Sequence, residues 1–181
     1  MGVLSIILTI IVAMLALIFV AAAFAPDNFA IQSEVIINRP ARIVFDYVKY
    51  LKNQANFNKW VMQDPNARRT YTGEDGAVGC ICYWDSDNKQ VGKGEQEITQ
   101  LIQDNRIDWA LRFKKPFENE ADTYMEFMEQ SADSVKTLWV FSGKLTYMMK
   151  VMHIVFSLRK MLARDMQITL NNLKVILEKS G

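Results

Sequence analysis

From Leu158 onward, Leu158, Met161, Leu162, Met166, Leu170, Leu173, Ile176 and Leu177 recur at steps of three and four, with Arg164, Gln167, Asn171, Lys174 and Glu178 opposite. That spacing predicts one long amphipathic helix whose apolar face needs a cover. Ahead of it, Tyr147–Phe156 reads YMMKVMHIVF, where only Lys150 and His153 interrupt the apolar side chains. No solvent face can be drawn for it, and at about ten residues it is too short to span a bilayer.

Elsewhere the dominant period is two. Residues 29–37 read as a strand, with Ile31, Ser33, Val35 and Ile37 on one side. Asn38-Arg39-Pro40 breaks it, and Pro40 opens a short helix carrying Ile43, Val44, Phe45, Tyr47, Val48 and Leu51. A second short helical or irregular piece runs on to Phe57 and Trp60. Turn signals around Gly73-Glu74-Asp75-Gly76, Asp85, Asp104-Asn105, Pro116 and Ser131 then delimit six strands, near residues 69–72, 78–84, 91–102, 107–113, 121–128 and 135–142. On the clearest of them Ile107, Trp109, Leu111 and Phe113 alternate with Asp108, Ala110 and Arg112. Gly92 and Gly94 predict a bend or bulge in another. With loops too short for crossover helices, this order calls for an antiparallel meander wrapped around the terminal helix, an α+β fold.

No charged side chain precedes Asp27, and residues 3–25 are apolar or small throughout. The run is long enough to cross a membrane. A cleaved signal peptide competes, because Ala23-Phe24-Ala25 resembles a cleavage site. The absence of a basic leader, the length of the run and Pro26 after the cut favour a retained anchor. The expected organisation is an anchor over residues 1–26 and a ligand-binding domain over residues 27–181, a single-pass membrane protein. Arg39 and Arg42 tilt that domain toward the cytoplasm, with the secreted or periplasmic side as the alternative.

Composition narrows the chemistry. Half of the 181 residues are hydrophobic, enough for a sizeable core. A net charge of +1 with mixed signs argues against nucleic acid as a partner. Cys80 and Cys82 share one side of a strand, too close for an unstrained disulfide and without the companions a zinc site needs, so they read as small buried residues. The sequence calls for no metal and no cofactor. Glu95 and Glu97, like Glu118, Glu120, Asp122 and Glu126, repeat every second residue, as on the solvated face of a sheet.

Residues 31–178 resemble the START/Bet v 1-like superfamily in its polyketide-cyclase-type branch, the SRPBCC proteins. The resemblance is carried by INRPARIVFDYV from Ile37, FNKWVMQDPNA from Phe57, VGKGEQEIT from Val91, RIDWALRFKKPFENEADTYMEF from Arg106, TLWVFSG from Thr137 and RDMQITLNNLKVILE from Arg164. It implies a helix-grip fold: a seven-stranded antiparallel sheet wrapped around the long C-terminal helix, two short helices after the first strand, and an apolar cavity between sheet and helix.

Candidate ligand contacts follow. Trp60, Trp84, Trp109, Phe113, Tyr124, Phe127 and Trp139 can line a cavity or fill a core equally well. Met152, His153, Phe156 and Met161 belong to the methionine-rich lead-in and the start of the helix, which would gate such a cavity. Asp165 lies at the edge of the apolar helical face with no cation three or four residues away, so it needs a partner in a loop or the sheet, or serves as a polar anchor for ligand. Lys114-Lys115-Pro116-Phe117 reads as a hairpin tip that could also touch anionic lipid. The leading expectation is membrane-tethered binding or transfer of a hydrophobic molecule such as a lipid, isoprenoid or quinone. A cyclase, aromatase or dehydratase is the enzymatic alternative, for which Asp165, His153 and Tyr124 are the acid-base groups available. A protein-interaction module of the chaperone-activator kind is a third.

Overall fold

A computed structural model describes residues 2–179. Helix α1 (Val3–Phe24) leads directly into strand β1 (Asn28–Ile37), and α2 (Ala41–Val48) follows Pro40. The expected second short helix resolves into three pieces: a 3-10 turn at Leu51–Asn53, α3 (Gln54–Phe57) and α4 (Lys59–Met62). The backbone at Asn58 is extended and separates the last two, and its side chain accepts from the Trp60 amide at 3.0 Å, capping α4. Six strands follow: β2 (Arg68–Thr72), β3 (Ile81–Asp85), β4 (Lys93–Ile102), β5 (Arg106–Lys115), β6 (Asn119–Ser131) and β7 (Ser134–Lys144). The chain closes with α5 (Tyr147–Phe156) and α6 (Leu158–Lys179).

The strands form one antiparallel sheet in the order β1-β7-β6-β5-β4-β3-β2, so the first strand is an edge strand beside the last. Register shifts at Lys93/Gly94 and Ile98/Gln100 supply the bend expected in β4. Because neighbouring strands alternate in direction, one end of the sheet collects the start of β1, the end of β7 and the β5–β6 turn. The pairs Asn28 with Lys144, Ala121 with Gly143, Phe113 with Asn119 and Asp85 with Lys93 mark that end. It is the end at which α1 joins.

Helix α6 lies along β1, tied by a ladder of bonds. Ser33 Oγ donates to the Ala163 carbonyl at 3.1 Å, Lys174 Nζ to the Ile36 carbonyl at 2.8 Å and Arg39 Nε to the Leu177 carbonyl at 2.8 Å. The helix therefore starts at the α1 end and finishes at the far end.

Only part of its apolar face closes a core. Met166, Leu170, Leu173 and Leu177 are buried against Val44, Phe45, Ile98, Ile107, Phe127 and Val135. Those four side chains contribute about 6–12 kcal/mol gross, an upper bound. Leu162 and Ile176 are half-buried, and Met161 is exposed. The first turns of α6 thus do not seal the sheet beneath them.

Candidate functional site

Between the sheet and the first half of α6 lies an apolar cavity of about 250 Å³. Each wall continues a face that is packed solid farther from α1. On β5, Ile107 and Trp109 are in the core, whereas Leu111 and Phe113, on the same face, line the cavity. On β7, Val135 is core while Trp139 and Phe141 are lining, and on β4 Ile98 is core while Gln96 is lining. Strands β2 and β3 add Arg69, Tyr71, Cys82 and Trp84; Leu51, Gln54, Asn58, Trp60 and Val61 cover it from the short helices, and Leu162 from α6. The hollow thus occupies the half of the grip nearer α1.

The covering segment is held from both sides. The Lys59 amide donates to Thr169 Oγ1 at 3.1 Å and Asn172 Nδ2 to the Phe57 carbonyl at 3.1 Å, pinning α3 and α4 to α6. Arg69 donates to the carbonyls of Val61 and Asp64, each at 3.0 Å, so its guanidinium is spent on the cover. Indole rings frame the space: Trp60 meets Trp139 edge-on at 5.7 Å, and Trp84 meets Phe113 at 5.9 Å.

Polar groups on the wall are mostly satisfied internally. Thr123 Oγ1 accepts from Trp139 Nε1 at 2.6 Å and donates to the Val140 carbonyl at 2.7 Å. Gln54 accepts from Asn58 at 3.2 Å. Gln96 differs: among the described residues its side-chain amide makes no hydrogen bond, and it faces the cavity. Burial pushes the Tyr71 phenol well above its ordinary value and also raises the Cys82 thiol, so both face the cavity as neutral groups. Cys80 and Cys82 are both buried and free.

Of the aromatic candidates, Trp60, Trp84, Phe113 and Trp139 line this cavity. Trp109 and Phe127 do not: they sit in the solid core at the far end, Phe127 edge-on to Phe45 at 5.9 Å. Tyr124 is on the outer face, where the Arg106 guanidinium stacks 3.7 Å over its ring and binds Asp108 and Glu126. The alternating carboxylates lie on that same face, Glu95 and Glu97 pairing with Arg112.

Asp165 is nearly buried and pairs with Lys59 of α4, a tie to the covering segment rather than a group on the cavity wall. Met152, His153 and Phe156 are on α5, outside the wall, and Met161 faces outward from α6. The His153 ring packs 6.0 Å from Phe29, which packs 5.5 Å from Phe141, so two aromatic side chains separate it from the hollow. The three acid-base candidates, Asp165, His153 and Tyr124, are therefore not brought together. Residues that sequence reasoning missed include Gln96, inward by its alternation with Gly94 and Ile98, and Gln54 and Asn58, which carried no signal.

Among the described residues one helix, α1, is long and apolar enough to cross a membrane; of its side chains only Ala22 is buried. No family model and no curated protein matches the chain. Solved structures share its fold at low identity. Truncated norcoclaurine synthase from Thalictrum flavum aligns with a TM-score of 0.62 at 11% identity, covering 83% of this chain and 93% of that one. Ara h 8.0201 aligns at 0.56 and 8% identity, covering 84% and 99%. A Mesorhizobium loti protein aligns at 0.61 and 10%, covering 84% and 99%. The architecture is the Bet v 1-like helix grip, with an apolar helix added before its first strand.

Proposed function

We propose that the protein binds a hydrophobic small molecule between its sheet and α6, held at a membrane by residues 1–26, with residues 27–181 as the binding domain facing the cytoplasm. The observation that carries this is the cavity itself: an apolar hollow of about 250 Å³ in the half of the grip adjoining α1. A tether raises the local concentration of the domain at the bilayer, so modest affinity suffices for pickup and release.

The volume bounds the ligand. It lies just under the ~300–1,000 Å³ of pockets that enclose a drug-sized molecule. It suits a quinone ring or the end of an isoprenoid or acyl chain, with the remainder emerging through the mouth. Gln96 offers the one uncommitted amide on the wall among the described residues, and a carbonyl or hydroxyl at the buried end of the ligand would engage it. The enzymatic alternative loses support, since Asp165, His153 and Tyr124 stand away from the wall. A role as a protein-interaction module is disfavoured by the presence of the cavity.

The test is titration of the full chain in detergent with decylubiquinone, read as quenching of Trp60, Trp84 and Trp139, beside native mass spectrometry for a co-purified lipid or quinone. Saturable quenching that Gln96→Leu weakens about tenfold, near the ~1.4 kcal/mol of one hydrogen bond, is the expected result. A protein that is recovered empty and takes up neither probe nor lipid would sink the reading.

A further inference from the structure

We propose that α5 is an interfacial helix lying in the headgroup layer of an anionic bilayer, with the β5–β6 tip as a second point of contact. This rests on the reading of α1 as a membrane span. Its first support is an inversion of the usual burial pattern. The one buried side chain of α5 is its lysine, Lys150, at 7% exposure, whereas Tyr147, Met148, Ile154, Val155 and Phe156 are 43–65% exposed. In a helix bathed by water the opposite arrangement is expected, and a contiguous apolar patch marks a surface with an apolar partner.

What fixes that partner as lipid is the mooring of α5. Lys150 Nζ donates to Asp27, just past the end of α1. The Leu145 amide donates to the Asp27 carbonyl at 2.7 Å, and Tyr147 Oη donates to the Phe19 carbonyl at 2.7 Å, their rings 6.3 Å apart. These contacts hold α5 beside the last turns of α1, at the depth where an apolar span ends and headgroups begin. Exposed Met148, Phe156 and Met161 then continue the lipid-facing surface of α1, and Ser157, at φ 49°, turns α6 away into the domain. A helix with this composition and this placement lies in the interface plane rather than across it.

The second contact follows from the sheet register. Pairing of Phe113 with Asn119, and of Ala121 with Gly143, carries the β5–β6 turn past the same end of the sheet that α1 enters. At its tip Phe117 is 62% exposed, flanked by exposed Lys114 and Lys115. Lys144, Arg159, Lys160 and Arg164 are exposed near α5. The acidic groups at that end are Asp27, Asp85, Asp87, Glu118, Glu120 and Asp122; Asp27 is engaged by Lys150, and Asp85 by Lys93 and Arg68. Cations therefore exceed free carboxylates there, the arrangement that anionic headgroups attract.

The test uses the full chain in liposomes of phosphatidylcholine containing phosphatidylglycerol, labelled with an environment-sensitive fluorophore at Phe156→Cys, Val155→Cys or Phe117→Cys. The unsubstituted chain, whose two cysteines are buried, sets the labelling background. Expected are a blue shift and quenching by headgroup-depth nitroxide lipids at positions 155, 156 and 117, none at Ala132→Cys on the far β6–β7 turn, and loss of quenching at 117 without phosphatidylglycerol. Labels at 155 and 156 that lipid nitroxides fail to quench, whether water-exposed or shielded by a second copy, would overturn the proposal. Ala16→Cys within α1, read with nitroxides placed deep on the acyl chain, separates the two readings. Quenching there but not on α5 removes this inference alone, whereas quenching at neither position removes the membrane span as well.

Discussion

Replacing Thr123 by Val tests whether the cavity wall is built as a self-contained surface. The threonine is 3% exposed and its hydroxyl serves two groups, accepting from Trp139 Nε1 at 2.6 Å and donating to the Val140 carbonyl at 2.7 Å. Valine keeps the outline of the side chain, so the cavity gains no volume and packing changes little. What it removes is the acceptor for an indole N–H that is otherwise enclosed, since Trp139 is 5% exposed. A buried donor left unmade costs about 1–3 kcal/mol. Taking about 2 kcal/mol and about 2–4 °C per kcal/mol for a chain of this length, the thermal midpoint falls by about 4–8 °C. The assay is thermal unfolding of the full chain in detergent, followed by near-ultraviolet circular dichroism and tryptophan emission. Thr123→Ser, which keeps the hydroxyl, should retain most of the stability. A midpoint for Thr123→Val equal to that of the unsubstituted protein would refute the argument, because the indole would then have another acceptor.

Three further outcomes follow from the same geometry. A Cβ at Gly94 would stand 2.6 Å from the Arg112 carbonyl oxygen and 2.5 Å from the Trp84 ring, so Gly94→Ala should cost about 1–3 kcal/mol in thermal denaturation and weaken decylubiquinone quenching; unchanged values in both would contradict the packing. Asp165→Asn should lower stability by no more than about 1 kcal/mol, because Lys59 is 36% exposed and can turn to water, and should leave probe binding intact; lost binding with intact stability would return Asp165 to the ligand. The hydrogen bond from Lys150, and then its charge, hold the Asp27 carboxyl below its ordinary value of 3.8. The stabilisation it gives is therefore complete above that value and is lost as pH falls through the lower folded value. Hydrogen exchange in α5, corrected for intrinsic rates, should lose protection as pH falls from about 4 to about 2, and Asp27→Asn should remove that pH dependence; equal protection at about pH 5 and about pH 2 in the unsubstituted chain would refute the pairing.

Much of the fold was legible because it is written in periods. The alternation on β5 and the three- and four-residue steps of α6 depend only on which face meets the interior, and the structure honours both. The site was less legible, because core and cavity are made from one face and one set of residue types. Nothing in Ile107, Trp109, Leu111 and Phe113 tells which pair is packed and which lines a void; that depends on where α6 and α2 supply filling. Tyr124 is a different case. It is three residues from Phe127 on one strand, and strict alternation already assigns the two to opposite faces. The partner of Asp165 lies more than a hundred residues earlier, at Lys59, beyond the reach of any local pattern. Tyr147–Phe156 defied assignment because its polar side chain points inward to Asp27, a contact visible only once α1 and β1 are placed.

The placement of β1 has a temporal consequence. Among the described residues its only neighbour in the sheet is β7, with Asn28 opposite Lys144. During synthesis the first strand emerges directly behind α1 and waits for the last. At about 5–20 residues per second, that interval is roughly 6–23 s. Throughout it β1 presents an open row of backbone donors and acceptors, a template for pairing with other nascent chains. Closure of the sheet is therefore a late, long-range event, and the nascent chain is most vulnerable to misassembly just before its final strand and helix arrive.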